Sequence, residues 1–321
     1  MSFPIWAWAA FILFVLAMLA LDLFVLHRDA RQASLRQAAA WSAVWVALAL
    51  GFGAVLFAWR GTATGQAYLT GYLIEKSLSV DNVFVYAVIF TMFGIPARHQ
   101  HRVLMYGIIG ALIMRGAFIA GGAALLNAFH ATVYLFGALL IYAAVRLFRH
   151  TEGQIDPARN VPLRVLSRLI PTARQLHGQK LLIRIDGRLL ATPLLIALLL
   201  IETTDVIFAV DSIPAVFAVT RDTFVIFTSN VFALLGMRAL YFLLAGAAAR
   251  LRYLQAGLGV ILAGVGVKML LSDLYEIPAW ASLSFIAAVL LATIAASWYA
   301  GRRPPAAVSA PAGRPKITAG S

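Results

Sequence analysis

The chain has 321 residues, of which 62% are hydrophobic and only 12% are charged, and its mean hydropathy is +0.87. Soluble globular proteins have ~45–50% apolar and ~25% charged residues, so the composition excludes a soluble or disordered chain and predicts a polytopic membrane protein. A net charge of +13 then indicates basic cytoplasmic loops and no nucleic-acid partner. The chain contains no cysteine, which excludes disulfides, thiolate catalysis, zinc fingers and iron–sulfur clusters.

Apolar stretches of the length that crosses a bilayer recur along the chain. They predict an all-α bundle of about nine transmembrane helices. The first begins at Pro4 without a basic segment or a cleavage site, so we interpret it as a retained span. The predicted spans are 4–26, 41–59, 68–92, 103–126, 131–148, 190–213, 223–245, 253–271 and 279–299.

The basic residues outside the spans alternate in density from one loop to the next. Loops on one side of the predicted membrane hold twenty Lys and Arg, whereas loops on the other side hold three. The positive-inside rule therefore predicts an outside N-terminus and a cytoplasmic C-terminus.

The chain divides into a transmembrane domain and a tail. The transmembrane domain covers 1–301 and includes one sizeable cytoplasmic loop, 149–189. Within that loop, 161–170 fits either a short amphipathic helix on the inner leaflet or a solvated basic linker. The tail 302–321 is rich in Pro, Ala, Gly and Ser, which is typical of disorder.

Charged residues inside the apolar spans are the main functional signal. Each costs about 2.5–3.5 kcal/mol at bilayer depth, so a buried polar site on an ion or substrate path is the default interpretation. Five acidic residues against three basic ones leave an excess of two negative charges, which a divalent cation or protons would neutralise. We expect Lys76 to extend toward the outer surface. The eight residues are Glu75, Lys76, Asp81, Arg115, Glu202, Asp205, Asp211 and Arg238.

Helical periodicity gives the first acidic span two polar faces. Glu75 and Asp81 are six residues apart, so they point about 120° apart and differ by about 9 Å in height. Ser79 and Asn82 follow Glu75 at i+4 and i+7, so they share its face.

The second acidic span differs in its spacing. Glu202 and Asp205 are three residues apart and share one face. Pro214 removes a backbone hydrogen bond close to Asp211, so we expect the helix to unwind there. Carbonyl groups freed in this way would join the carboxylates in a site of hard oxygen ligands.

An internal repeat relates these two spans. Asp81-Asn-Val-Phe precedes Arg115 by 34 residues, and Asp205-Val-Ile-Phe precedes Arg238 by 33. The predicted topology makes the repeats inverted, an architecture that places coupling sites near the bilayer midplane. We expect the two arginines to be the counter-charges of the empty site.

The acidic segments resemble a known family. The segments 75–84 (EKSLSVDNVF), 202–215 (ETTDVIFAVDSIPA) and 227–242 (FTSNVFALLGMRALYF) are similar to the signatures of the TerC/Alx family of integral membrane proteins. The resemblance covers roughly residues 5–300 and implies a bacterial inner-membrane protein of the LysE transporter superfamily that exports manganese. It assigns metal handling to the five acidic residues, the same five that the cost of burial selects. The supporting polar groups and counter-charges that we expect are Ser79, Asn82, Arg115, Ser212, Asn230 and Arg238.

Three functions remain open from the sequence. The first is export of a divalent cation, Mn²⁺ first, because oxygen ligands suit Mn²⁺, Mg²⁺ and Ca²⁺ and the central spans lack both Cys and His. The second is an intramembrane aspartyl enzyme with two opposed Asp residues. The third is a membrane scaffold that supplies metal to exported proteins. No Walker motif occurs, so transport would be driven by a gradient or be passive. Protons are the expected counter-ion. We expect no enzyme activity and no permanently bound cofactor.

Overall fold

The computed structural model describes residues 3–24, 35–129, 131–149, 171–173, 176, 178–185, 188–244, 253–275 and 277–302. Helices dominate these residues, and two short strands form a single hairpin. In chain order the elements are α1 Ile5–Phe24, α2 Leu35–Arg60, α3 Thr62–Met92, α4 Ala97–Ala128, α5 Thr132–Arg149, β1 Leu182–Ile185, β2 Arg188–Ala191, α6 Pro193–Phe217, α7 Thr223–Leu235, α8 Met237–Leu244, α9 Leu254–Leu270 and α10 Ala279–Arg302.

The described helices match the nine predicted spans one for one, with α7 and α8 together forming the seventh. Five of these spans are long and apolar enough by themselves to cross a membrane, and three shorter apolar helices accompany them. The remaining span, α3, has 31 residues but contains Glu75, Lys76 and Asp81. The predicted helical membrane bundle is therefore confirmed, and the charges of α3 mark it as the unusual span.

The helices of the two repeats form the centre of the bundle. Helix α3 packs against α6 and α7, and α4 packs against the same pair. Gly94 adopts φ 59° in the short turn between α3 and α4, a conformation that favours glycine. Asp222 begins α7 by accepting hydrogen bonds from the backbone N–H groups of Phe224 and Val225 at 3.0 and 3.3 Å. Because α6 is the third spanning helix after α3, the two cross the membrane in opposite directions.

Helix α6 stays helical through Pro214, so the expected unwinding near Asp211 is wrong. A proline removes only one backbone donor, and neighbouring groups compensate for it in membrane helices. The next turn closes normally, because the Ala218 N–H donates to the Pro214 carbonyl at 3.0 Å. The side chains from Ser212 to Phe217 are buried in the bundle, which holds the helix in place.

The seventh span is broken, which the sequence analysis does not predict. Helix α7 ends at Leu235, Gly236 is its C-cap, and α8 begins at Met237. The Lys76 ammonium lies 3.5 Å from the Ala233 carbonyl oxygen, and a Cβ on Gly236 would lie 2.8 Å from that Nζ atom. Lys76 therefore points at the end of α7, where a cation is favourable, and the expectation that it extends outward is wrong.

Outside the polar centre, close packing of apolar side chains holds the bundle together. Rings of α1, α2 and α7 form one aromatic cluster, in which Phe11 lies 5.4 Å from Phe52 and 5.8 Å from Phe232 between ring centroids. Helices α5 and α9 approach closely at two glycines. A Cβ on Gly266 of α9 would lie only 3.2 Å from the Gly137 carbonyl oxygen of α5. Small residues permit such close approach of membrane helices.

The loop before α6 contains an antiparallel hairpin of β1 and β2. Ala191, at the end of β2, also forms a parallel bridge with Thr172. The amphipathic helix proposed at 161–170 and the tail from residue 303 onward lie outside the described residues, so both remain predictions.

Candidate functional site

Four side chains from four helices form the first polar cluster, which we call the paired cluster: Glu75 of α3, Arg115 of α4, Ser212 of α6 and Asn230 of α7. The Arg115 guanidinium forms an ion pair with the Glu75 carboxylate. The same Arg115 Nη1 donates to Asn230 Oδ1 at 2.8 Å and to Ser212 Oγ at 3.4 Å. Asn230 in turn donates its Nδ2 to Glu75 Oε1 at 2.8 Å.

The paired cluster is buried and internally neutralised. All four side chains are at most 3% exposed, and both Glu75 carboxylate oxygens accept a hydrogen bond. Arg115 is thus the counter-charge of a buried carboxylate, as predicted from the sequence. Arg115 Nε is the one buried polar atom of the cluster without a partner.

Four further side chains form the second cluster, which we call the open cluster: Asn82 and Tyr86 of α3, with Glu202 and Asp205 of α6. Asp205 Oδ1 accepts a hydrogen bond from the Tyr86 hydroxyl at 2.8 Å and from Asn82 Nδ2 at 3.4 Å. Glu202 is half-buried one turn before Asp205, and the two carboxylates interact electrostatically.

The open cluster contains several oxygens that nothing satisfies. Asp205 Oδ2, Asn82 Oδ1 and Glu202 Oε2 are buried atoms without a hydrogen-bond partner. A buried polar group without a partner is costly, so three such acceptors on neighbouring side chains indicate a site for a cation or for protons.

Gly110 of α4 makes room for one of these carboxylates. A Cβ at Gly110 would collide with all three atoms of the Glu202 carboxylate. The absence of a side chain at this position therefore allows Glu202 to lie directly against the α4 backbone.

The order of these contacts fixes the relative direction of the two acidic helices. Glu75 and Ser212 meet through Arg115 in one cluster, whereas Tyr86 meets Asp205 in the other. Residue numbers thus rise along α3 while they fall along α6, which makes the two helices antiparallel, as inverted repeats require.

The structure gives the burial of two other predicted site residues and one contact of a third. Ser79 Oγ donates to the Glu75 backbone carbonyl at 2.7 Å, so its hydroxyl is engaged within α3. Asp211 is half-buried on α6 and Arg238 is buried on α8. The backbone of Asp81 lies in α3, but its side chain lies outside the described part of the structure.

Glu75 therefore lies in one cluster and Glu202 and Asp205 lie in the other, and the expectation that they surround one ion together with Asp81 and Asp211 stays a prediction. Among the residues that the structure describes, no group of three or more Asp, Glu or His side chains is close enough to hold a metal ion. A cation in the open cluster would depend on two carboxylates, the Asn82 amide and water. These are hard oxygen ligands, which suit Mn²⁺, Mg²⁺ and Ca²⁺.

The sequence analysis missed Tyr86, which is buried and is bonded to Asp205. A Tyr in an apolar helix is common, so its identity alone carries no signal. Its position is four residues after Asn82, on the same face of α3, and this spacing could have identified it.

Comparisons with known proteins agree with this architecture. The family model described as "Integral membrane protein TerC family" matches residues 60–304. An "Uncharacterized membrane protein STKORF319" of Myxococcus xanthus is 49% identical over 298 residues, which is 93% of each chain. The Escherichia coli K12 protein named "Putative membrane-bound redox modulator Alx" is 45% identical over 89% of this chain and 92% of its own. A Rickettsia bellii membrane protein is 38% identical over 91% of this chain and 96% of its own. No solved structure matches.

Proposed function

The chain belongs to the TerC family of integral membrane proteins, and from this premise we propose that it exports a divalent cation, Mn²⁺ first, across the bacterial inner membrane in exchange for protons. The carboxylates of the open cluster bind the cation, and protons replace it on the same oxygens. The N-terminus lies outside and the C-terminus in the cytoplasm, in agreement with the distribution of basic residues.

The observation that carries the proposal is the set of unsatisfied acceptors in the open cluster. Arg115 neutralises Glu75, so the paired cluster has little capacity for a second cation. Asp205 has only neutral donors, Tyr86 and Asn82, and it keeps one oxygen free. The Arg115 guanidinium interacts electrostatically with Asp205 as well as with Glu75, but it donates no hydrogen bond to Asp205, so a cation supplies the ligation that this carboxylate lacks.

The chemistry of the ligands supports Mn²⁺ over softer metals. Carboxylate and amide oxygens favour Mn²⁺, Mg²⁺ and Ca²⁺, whereas copper and zinc prefer thiolate or imidazole. Because protons compete for the same oxygens, Mn²⁺ binding strengthens as pH rises.

A role in thiol exchange has no support in the residues. Relatives carry the name of a redox modulator, but this chain has no cysteine, so it cannot form or reduce a disulfide itself. A scaffold that hands metal to other proteins would use the same ligands, and measurement of transport separates it from an exporter.

The test is a flux measurement on purified protein in sealed vesicles with an imposed pH gradient. We expect Mn²⁺ to cross with the wild-type chain and not with Asp205→Asn, which keeps the shape of the side chain and removes its charge. The matched control is Thr204→Val on the adjacent residue, whose hydroxyl donates to the Leu200 carbonyl and takes no part in the cluster.

Two results would contradict the proposal. Equal Mn²⁺ flux through wild type and Asp205→Asn would remove the open cluster from the transport path. Mn²⁺ binding without flux in any gradient would favour the scaffold. Parallel assays with Mg²⁺, Ca²⁺ and Fe²⁺ define the selectivity, and reporter fusions at residues 60, 153 and 303 should read outside, inside and inside.

A further inference from the structure

The hairpin before α6 has an outward face with an unusual composition. Cross-strand partners lie on the same face of a hairpin, and the partners Ile183 and Leu190 face inward, where Ile183 is 8% exposed. The opposite face carries Leu182 and Leu189, which are 42% and 47% exposed, and Arg184 lies directly across from Leu189. Next to the turn, Ile185 on the first face is also 42% exposed. A solvated face would normally be polar.

Backbone and side-chain hydrogen bonds attach this hairpin firmly to the start of α6. Thr192 Oγ1 donates to the carbonyls of Lys180 and Leu181 at 2.8 and 3.0 Å, and Thr192 is fully buried. The Ala191 N–H donates to the Pro171 carbonyl at 3.0 Å. Since Pro193 begins a membrane span, the hairpin is fixed beside the membrane surface.

A second contact joins the segment before the hairpin to the first turns of α4, which is another predicted span. Gln179, just before β1, accepts a hydrogen bond from Arg102 of α4 at 3.4 Å. Arg102 also donates to the hydroxyl of Tyr106, which is 38% exposed on the same helix. An exposed Tyr next to an Arg near the end of a span is typical of the membrane interface.

From these positions we propose that the outward face of the hairpin docks on anionic phospholipid headgroups. The two leucines enter the region between headgroups and acyl chains, while Lys180 and Arg184, both exposed, meet the phosphates. Charge complementarity selects this occupant, because the hairpin lies on the side of the chain where the basic residues concentrate and anionic lipid attracts such segments.

The absence of cysteine makes the test direct, since an introduced Cys is the single thiol of the full chain. Leu189→Cys is labelled with an environment-sensitive fluorophore, and the protein is reconstituted in vesicles of phosphatidylcholine with or without phosphatidylglycerol. We expect blue-shifted emission and protection from an aqueous quencher only with phosphatidylglycerol. Concentrated salt should reverse both, because the Debye length falls to ~3 Å at 1 M.

Charge reversal provides the matched control. Lys180→Glu with Arg184→Glu should abolish the shift, whereas Arg221→Glu, at an exposed site in the loop between α6 and α7, should leave it unchanged. A label that is equally accessible to the quencher in both lipids would overturn the proposal. Protection that appears only as the protein-to-lipid ratio rises would overturn it in favour of a second copy. Neither readout requires transport, so the result stands independently of the proposed export.

Discussion

The paired cluster and the open cluster both join α3 to α6, but they differ in how fully the carboxylate oxygens are hydrogen-bonded. In the paired cluster, Glu75 meets a guanidinium and an amide, and both of its oxygens are satisfied. In the open cluster, Asp205 meets only a phenol and an amide, and one oxygen stays without a partner. The first arrangement stabilises the bundle, and the second leaves binding capacity for a ligand.

This difference teaches that the number of buried acidic residues does not give the size of the binding site. A buried ion pair is expensive to break but offers little to a new ligand. A buried carboxylate with an oxygen that accepts no hydrogen bond is costly until something binds it. Substitutions should therefore separate stability from metal binding, one cluster at a time.

The largest effect is expected in the paired cluster. Arg115→Met leaves the Glu75 carboxylate buried without its counter-charge, which should destabilise the protein by about 3–5 kcal/mol. Thermal unfolding in detergent measures the loss, with the exposed Arg221→Met as control. The double variant Glu75→Gln/Arg115→Met should recover part of the stability. An Arg115→Met protein as stable as wild type would mean that the ion pair does not hold the bundle together.

Asp205→Asn should change the stability of the protein little and should remove its stabilisation by Mn²⁺. Asparagine can still accept from Tyr86, so unfolding without metal should change by less than about 1 kcal/mol. Wild type should gain about 2.7 kcal/mol at a Mn²⁺ concentration one hundred times its Kd, and the variant should gain almost nothing. Unfolding with and without Mn²⁺ measures both quantities. Equal stabilisation of the two proteins would place the metal elsewhere.

Gly110→Ala tests the space that the open cluster needs. The new methyl group would collide with the Glu202 carboxylate, so the carboxylate must turn away at a cost of about 1–3 kcal/mol. We expect weaker Mn²⁺ binding and slower flux. Gly121→Ala on the same helix is the control, since nothing lies within 4 Å of its Cβ position. Equal Mn²⁺ affinity in the two variants would show that the position of Glu202 is unimportant.

The smallest effect is expected from Tyr86→Phe, which removes one hydroxyl that orients Asp205. Loss of such a supporting hydrogen bond typically lowers metal affinity by about 10-fold. Tyr68 lies on the same helix as Tyr86, and its hydroxyl donates to the Ala49 carbonyl of α2 at 3.0 Å. Tyr68→Phe is therefore the matched control. Both variants should lose about 0.5–1.5 kcal/mol of stability. Titration calorimetry with Mn²⁺ should separate them, and identical affinities would assign Tyr86 a purely structural role.

The spans were predictable from the sequence because hydropathy and charge alternation are strong signals in a membrane chain. The family match confirms the resemblance drawn from the three acidic and polar segments. The cost of burial also predicted that Arg115 acts as a counter-charge, although the sequence did not identify Glu75 as its partner.

The remaining features depend on tertiary neighbours. Lys76 looked free to extend outward, but the end of α7 lies beside it, and no periodicity in α3 reveals that neighbour. Pro214 looked like a helix break, yet packing keeps α6 continuous while Gly236 interrupts the seventh span. The division of the carboxylates into two clusters required the contact partners, because Glu75 and Asp205 carry the same formal charge.

Asn230 illustrates how tightly the paired cluster constrains its own chemistry. Its amide nitrogen donates to the Glu75 carboxylate and its amide oxygen accepts from Arg115, so one side chain forms hydrogen bonds with both charged groups. Aspartate and leucine are both similar in size to asparagine. An aspartate at this position would repel the Glu75 carboxylate, and a leucine would remove one hydrogen-bond partner from Glu75 and one from Arg115. Glu75 and Arg115 can therefore be exchanged only together. A reversed ion pair, with arginine on α3 and glutamate on α4, would require the amide group to rotate by about 180°, with no change in the residue at position 230.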